Sequence, residues 1–97
     1  MLHCRSCGNW VAQLSDQISI NESVTHAFAN PNGRVFEISC FSQAPGCLPA
    51  SLTSSEFSWF RGYEWQVGVC NRCGHHLGWI FLNSDHRFFG LIIDHIK

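Results

Sequence analysis

Two short segments carry the same chemistry. Cys4-Arg5-Ser6-Cys7-Gly8 and Cys70-Asn71-Arg72-Cys73-Gly74 both read CxxCG. Two residues between the cysteines let a tight turn offer both sulfurs to one metal ion. The glycine that follows permits a left-handed backbone, with N–H groups free to point at sulfur. Four thiolates make a closed tetrahedral site suited to zinc, with no coordination position left for a substrate. The expectation is one structural Zn2+ held by Cys4, Cys7, Cys70 and Cys73. Two separate redox pairs, or disulfides in an oxidising compartment, are the alternatives. Redox CxxC motifs usually open a helix after a strand, and neither pair has that setting.

The spacing has a physical cost. Sixty-two residues lie between Cys7 and Cys70. Closing a loop of that length costs about 4 kcal/mol in chain entropy. Metal binding offsets the cost, so chelation is expected to unfold the domain. Cys40 and Cys47 stand apart, seven residues from each other, and match no knuckle. Unpaired thiols, a disulfide and a second metal site are three readings of that pair. His3 is a bystander to a shell already filled. His75 and His76 are expected to tune or screen the metal site or to face solvent.

A second concentration of chemistry is aromatic. Residues 57–81 include Trp59, Phe60, Tyr63, Trp65, Trp79 and Phe81. The second knuckle lies between Trp65 and Trp79. Its turn folds the flanking strands side by side, which makes those two indoles neighbours. Trp59 precedes Trp65 across the Arg61-Gly62 turn. One reading is a plain aromatic core, since Trp and Phe supply much of the buried area of a small domain. The other is a cage or slot for a small flat or cationic group, with Asn30 at its rim. Catalysis has little support. Ser55 and Ser58 have no base fixed nearby in sequence, and Glu56 and Glu64 read as surface carboxylates.

The elements that must position these residues are strands. No stretch of eleven or more residues keeps a helical apolar period. Strands are expected over residues 11–20, 24–29, 34–40, 63–69, 78–82 and 88–96. Asn30-Pro31-Asn32-Gly33 is a strong turn signal, and Asn83-Ser84-Asp85 is another. Residues 41–55, with Pro45-Gly46 and Pro49, read as a long loop, and 57–60 as a short aromatic segment. The fold class is all-β, with antiparallel hairpins and long loops.

The chain has 97 residues and a formal charge of -1. That length suits a single domain over residues 1–97 with a modest core. No run of basic residues exists, which argues against a nucleic-acid partner. The apolar run 88–93 is too short to cross a membrane, so no membrane partner is expected. Met1-Leu2-His3-Cys4 shows no secretory leader. A chain complete at that start is expected in the cytoplasm, where CxxC pairs read as metal ligands.

Longer motifs extend this reading. Ser58-Trp59-Phe60-Arg61-Gly62-Tyr63-Glu64-Trp65 is followed by Cys70-Asn71-Arg72-Cys73-Gly74-His75-His76-Leu77-Gly78-Trp79-Ile80-Phe81, with Asn30-Pro31-Asn32-Gly33-Arg34-Val35-Phe36-Glu37 upstream. Together with the first knuckle, these resemble the cereblon-type thalidomide-binding domain family, known as CULT, from Cys4 to about Leu91. The resemblance implies a β-tent: two antiparallel sheets at a steep angle, pinned by zinc. It implies a three-tryptophan cage, matching Trp59, Trp65 and Trp79, with Phe81 as its base. The cage takes cyclic imides such as glutarimide, succinimide and hydantoin-like rings, including thalidomide-type ligands. Backbone groups of the Phe57-Ser58-Trp59 segment would bond the imide edge, and Asn30 would touch the ligand's exposed part. Such a module is non-catalytic.

The departures from the family pattern are Phe57, where the eukaryotic protein has His, and Arg61, where Pro is usual. No ligase-adaptor segment is present in the sequence, which fits single-domain, bacterial-like members. A peptide or protein module that reads cyclised C-terminal ends is the main alternative, ahead of a nucleoside binder and an imide-processing enzyme. Methionine sulfoxide reduction, known on a related fold, needs a late nucleophilic cysteine. Residues 81–97 contain none.

Overall fold

The structure, a computed structural model, describes every residue from Met1 to Lys97. Its strands form two antiparallel sheets. The smaller sheet pairs β1 (Leu2–His3) with β2 (Trp10–Ala12), on either side of the first knuckle. The larger sheet contains β3 (Thr25–Ala29), β4 (Val35–Phe41), β5 (Cys47–Pro49), β6 (Glu64–Cys70), β7 (His76–Leu82) and β8 (Arg87–Ile92). Its spatial order is β3-β4-β8-β7-β6-β5.

Local signals make the hairpins. In the β3–β4 turn the Asn30 side-chain Oδ1 accepts from the Asn32 amide at 3.0 Å and the Arg34 amide at 2.9 Å. This Asx-type turn explains why Asn opens the motif. Asn83 does the same between β7 and β8, accepting from the Asp85 and His86 amides. The turn of the β6–β7 hairpin is the second knuckle itself.

Both faces of the larger sheet are covered. Phe41, Leu77, Ile80, Phe89 and Leu91 pack with Cys4, Val11, Cys47, Cys70 and Ile96 on one face. Phe36, Ile38, Cys40, Phe81, Phe88 and Ile92 pack with Phe60 on the other, against Trp59, Trp65 and Trp79. Double burial explains why β4 and β8 read as nearly continuous apolar runs instead of strict alternation. The paired cysteines and the tryptophans therefore belong to opposite faces.

Three expected elements differ. Residues 11–20 are not one strand: β2 stops at Ala12, a 3-10 turn spans Leu14–Asp16, and only isolated bridges Gln17–Phe41 and Ile20–Ser23 follow. Leu14 is exposed, while Ile18 and Ile20 are half-buried against the core. The closing strand ends at Ile92 and a 3-10 turn spans Ile93–His95, which lets Ile96 bridge to Cys4. The segment 41–55 contains the short edge strand β5, whose pairing with β6 depends on residues distant in sequence.

Candidate functional site

The two knuckles are copies of one backbone device. Gly8 N–H donates to Cys4 O at 2.8 Å, and Gly74 N–H donates to Cys70 O at 3.0 Å. Cys4 N–H donates to Asn9 O, and Cys70 N–H donates to His75 O, both at 2.8 Å. Gly8 and Gly74 hold φ +78° and +77°, a conformation that a side chain would strain. Asn9 ties the copies together, its Nδ2 donating to Asn71 Oδ1 at 2.6 Å.

The four sulfurs of Cys4, Cys7, Cys70 and Cys73 lie within 4.8 Å of one another. Cys4–Cys73 and Cys7–Cys70 are each separated by 3.7 Å. A tetrahedron with Zn–S bonds of about 2.3 Å has sulfurs about 3.8 Å apart. The cluster is therefore compatible in geometry and donor set with a structural zinc site. Its electrostatics divide the charge unevenly, with Cys7 pushed up to about 11 beside the Cys73, Cys70 and Cys4 thiols. Burial opposes charge on Cys70, but the Cys73 and Arg72 amides and the Cys7 and Cys73 thiols bring it down to about 6. Burial raises Cys4, whose neighbours include the Cys73 thiol. Four thiolates at this separation repel one another, and a central dication removes that repulsion.

On the opposite face, one pocket of about 330 Å³ is lined by Asn30, Phe57, Trp59, Trp65, Trp79 and Phe81, together with Pro31, Ser54 and Glu56. Register places three of these. Trp65 stands opposite Phe81 across β6–β7, and Trp79 lies two residues from Phe81 on the same face. The closest indole pair is Trp59 with Trp79, at 4.5 Å between centroids and 71° between planes. Trp65 and Trp79, the expected neighbours, are diagonal neighbours across this ladder and line the same pocket.

Each indole is braced from behind. Trp59 Nε1 donates to Ala29 O at 3.1 Å, and its ring stacks on Phe28 at 5.0 Å and 13°. Trp65 Nε1 donates to Glu56 O at 2.7 Å. Trp79 meets Phe36 and His76 edge-on, at 5.1 and 4.9 Å. His76 is therefore part of this aromatic scaffold and does not simply face solvent. Burial lowers its pKa, the hydrogen bond to Gly78 O opposes that, and His95, His75 and Arg34 lower it further. Phe28 and Phe36 pair directly across the β3–β4 hairpin. Their placement on either side of the Asn30–Gly33 turn was the sequence signal that could have found them.

The loop before Trp59 is unusual. Phe57 holds φ +55° and its side chain is 72% exposed at the pocket rim. That backbone region costs an ordinary residue about 1–2 kcal/mol. The Phe57 carbonyl and the Trp59 amide make no hydrogen bond within the protein. Ser58 lies outside the lining, and its hydroxyl donates to Phe60 O at 3.0 Å. Asn30 has both Oδ1 bonds committed to its turn, which leaves Nδ2 as its free polar group. The result is an aromatic enclosure with an unpaired donor and acceptor in the loop that forms one wall.

No protein-family model matches the chain. Among curated proteins, it is 33% identical over 101 residues to protein cereblon of Drosophila simulans, covering 94% of this chain and 17% of that protein. It is 32% identical over 99 residues to protein cereblon of Drosophila grimshawi, covering 94% of this chain and 15% of that one. The chain is homologous to a segment of cereblon. It spans roughly a sixth of the length of these relatives. The matched region covers 94% of this chain, so it takes in the aromatic segment and the second knuckle. No helix in the structure is long and apolar enough to cross a membrane.

Proposed function

We propose that residues 1–97 form a single CULT-type domain that binds cyclic imide rings without catalysis, in a cage walled by Trp59, Trp65 and Trp79 and floored by Phe81. The observation that carries this reading is the pairing of an aromatic pocket with two unsatisfied backbone groups. A flat imide slides between indole faces, but its N–H and carbonyls need partners once out of water. The Phe57 carbonyl would accept the imide N–H, and the Trp59 amide would donate to an imide carbonyl. Asn30 Nδ2 and the Phe57 ring would meet the part of the ligand outside the cage. Zn2+ at Cys4, Cys7, Cys70 and Cys73 would be purely structural, on the far face of the sheet. A ring of about eight heavy atoms, at roughly 1 kcal/mol per atom or less, limits the affinity to about micromolar.

Homology to cereblon supports the same reading at the level of the family. A cyclised peptide C-terminus presents the same imide edge, and the rim residues leave room for chain beyond the ring. We place such a peptide end, or a small imide, as the partner of a cytoplasmic module. Ligase recruitment, a property of a larger assembly, is not part of the proposal.

Tryptophan fluorescence on titration with glutarimide tests it directly. The expected result is saturable quenching that N-methylglutarimide fails to produce, because it lacks the N–H. Equal quenching by both, or by wild type and a folded Trp79→Ala variant, would refute the cage. Uracil and a peptide ending in a cyclised imide serve as competitors that rank the natural ligand classes.

A further inference from the structure

Cys47 is not a lone thiol. It stands directly opposite Cys70 across β5–β6. The ladder bonds lie on either side of this pair: Asn71 N–H donates to Gly46 O, and Ala50 N–H donates to Val67 O. Cys47 N–H goes to Ala44 O and Cys70 N–H to His75 O. The two cysteines therefore form a non-hydrogen-bonded cross-strand pair, in which Cα atoms lie about 4.5 Å apart. That separation falls within the roughly 4.4–6.8 Å range that disulfides span. Residues directly opposite project to the same face, and both side chains belong to the same buried cluster.

We propose that Cys47 and Cys70 are an oxidative modification site, a thiol pair that peroxide joins as a cross-strand disulfide, withdrawing Cys70 from the metal cluster. The proposal rests on reading the four-cysteine cluster as the zinc site. At present the Cys47 sulfur rests over Gly68, where an added Cβ would come within 2.6 Å of it. Rotation about its Cα–Cβ bond turns the sulfur toward Cys70. Cys47 also lines a second pocket of about 260 Å³, with Gln43, Pro45, Arg87 and Phe89, which leaves its side chain room to turn. Cys40 differs in each respect. It is fully buried on the other face, and its cross-strand partner is Gly90.

The chemistry balances. The Cys70 thiolate attacks hydrogen peroxide, the O–O bond breaks, hydroxide leaves and a sulfenic acid forms. Cys47 sulfur then attacks Cys70 sulfur, the S–S bond forms and a second hydroxide leaves, becoming water with the Cys47 proton. The thiol pair loses two electrons and the peroxide gains them. Cys70 is a thiolate when it ligates zinc and so is the one first oxidised, and Cys47, its partner on the rung, is the resolving thiol. Cys4, Cys7 and Cys73 are left as an incomplete set that no longer closes around the ion. Cys70–Cys7 and Cys4–Cys73 disulfides are the rival products, given their 3.7 Å separations. The β5–β6 ladder favours Cys47, because it already sets Cys47 and Cys70 on one rung.

The test uses the full chain, with metal content measured first. Treatment with hydrogen peroxide, alkylation and non-reducing peptide mapping should recover a Cys47–Cys70 linked peptide. Zinc release should accompany it, and dithiothreitol with added zinc should reverse both. Cys40→Ala should leave the linkage unchanged, and Cys47→Ala should shift it to Cys7–Cys70. Recovery of Cys47 as an alkylated free thiol in fully oxidised wild type would overturn the proposal. A chain that purifies without zinc would overturn the zinc reading instead, while the linkage map of the same sample still judges the thiol pair.

Discussion

Replacing Phe28 with Leu separates a prealigned cage from one that forms around its ligand. The substitution keeps an apolar side chain of similar bulk but removes the flat surface on which Trp59 stacks at 5.0 Å. It also removes ring contacts with Phe60 at 5.2 Å and His26 at 5.6 Å. Each aromatic pair contributes about 0.5–1.5 kcal/mol beyond area burial. Phe28 is only half-buried, and Leu keeps part of the apolar area, so the expected stability loss is about 1–2 kcal/mol. In a domain of this size that lowers the melting temperature by about 5–12 °C. The effect on binding is separate. Trp59 keeps its indole bond to Ala29 O but gains freedom about that anchor. Freezing one such side chain on binding costs about 0.5–1.5 kcal/mol, which weakens glutarimide affinity roughly two- to tenfold. Calorimetric titration below the variant's melting range measures this. An unchanged dissociation constant in a protein whose melting temperature has fallen would refute the idea that Phe28 prealigns the cage wall.

Three further outcomes follow from the geometry. Asn30→Ala removes two turn hydrogen bonds and should cost about 1–2 kcal/mol in a denaturant melt, whereas Asn30→Asp keeps the acceptor and should lose much less. His76 is held below its ordinary value of about 6.5 by burial, opposed by its bond to Gly78 O, so the folded chain favours the neutral ring. Its contribution to stability is complete above about pH 6.5 and is lost as pH falls through the lowered folded value, so His76→Gln should flatten the stability profile in that acid window. A strong chelator should lower the melting temperature by tens of degrees, because the fold must otherwise hold four thiols together against about 4 kcal/mol of loop-closure entropy. An unchanged melt would reject the metal clamp.

The legibility of this molecule varied with the range of the interaction. Both CxxCG knuckles were evident in the sequence because each is a self-contained turn, and their repeated bonding pattern needs no help from elsewhere. The Asn30 and Asn83 turns were equally local. Strand ends were harder. Residues 11–20 look strand-like in apolar content, but only Trp10–Ala12 finds a partner in a regular ladder. β5 was hidden inside a Pro- and Ser-rich stretch, because its three residues become a strand only through pairing with β6. The continuous apolar run of β8 signalled burial but not which residue faced which side.

The sequence by itself determined the donor set of the cysteine cluster, the all-β class and the concentration of tryptophans. These follow from residue type and short spacing. Only the tertiary structure decided that Trp59, from a loop, packs against Trp79, from β7, while Trp65 stays diagonal to it. It alone placed the cysteine cluster and the pocket on opposite faces of one sheet. The reason is that strand alternation assigns sides only relative to a partner, and partners are chosen by pairing across the whole chain. The same logic set Cys47 beside Cys70. Twenty-two residues separate them in sequence, and one rung of a β-ladder brings them together.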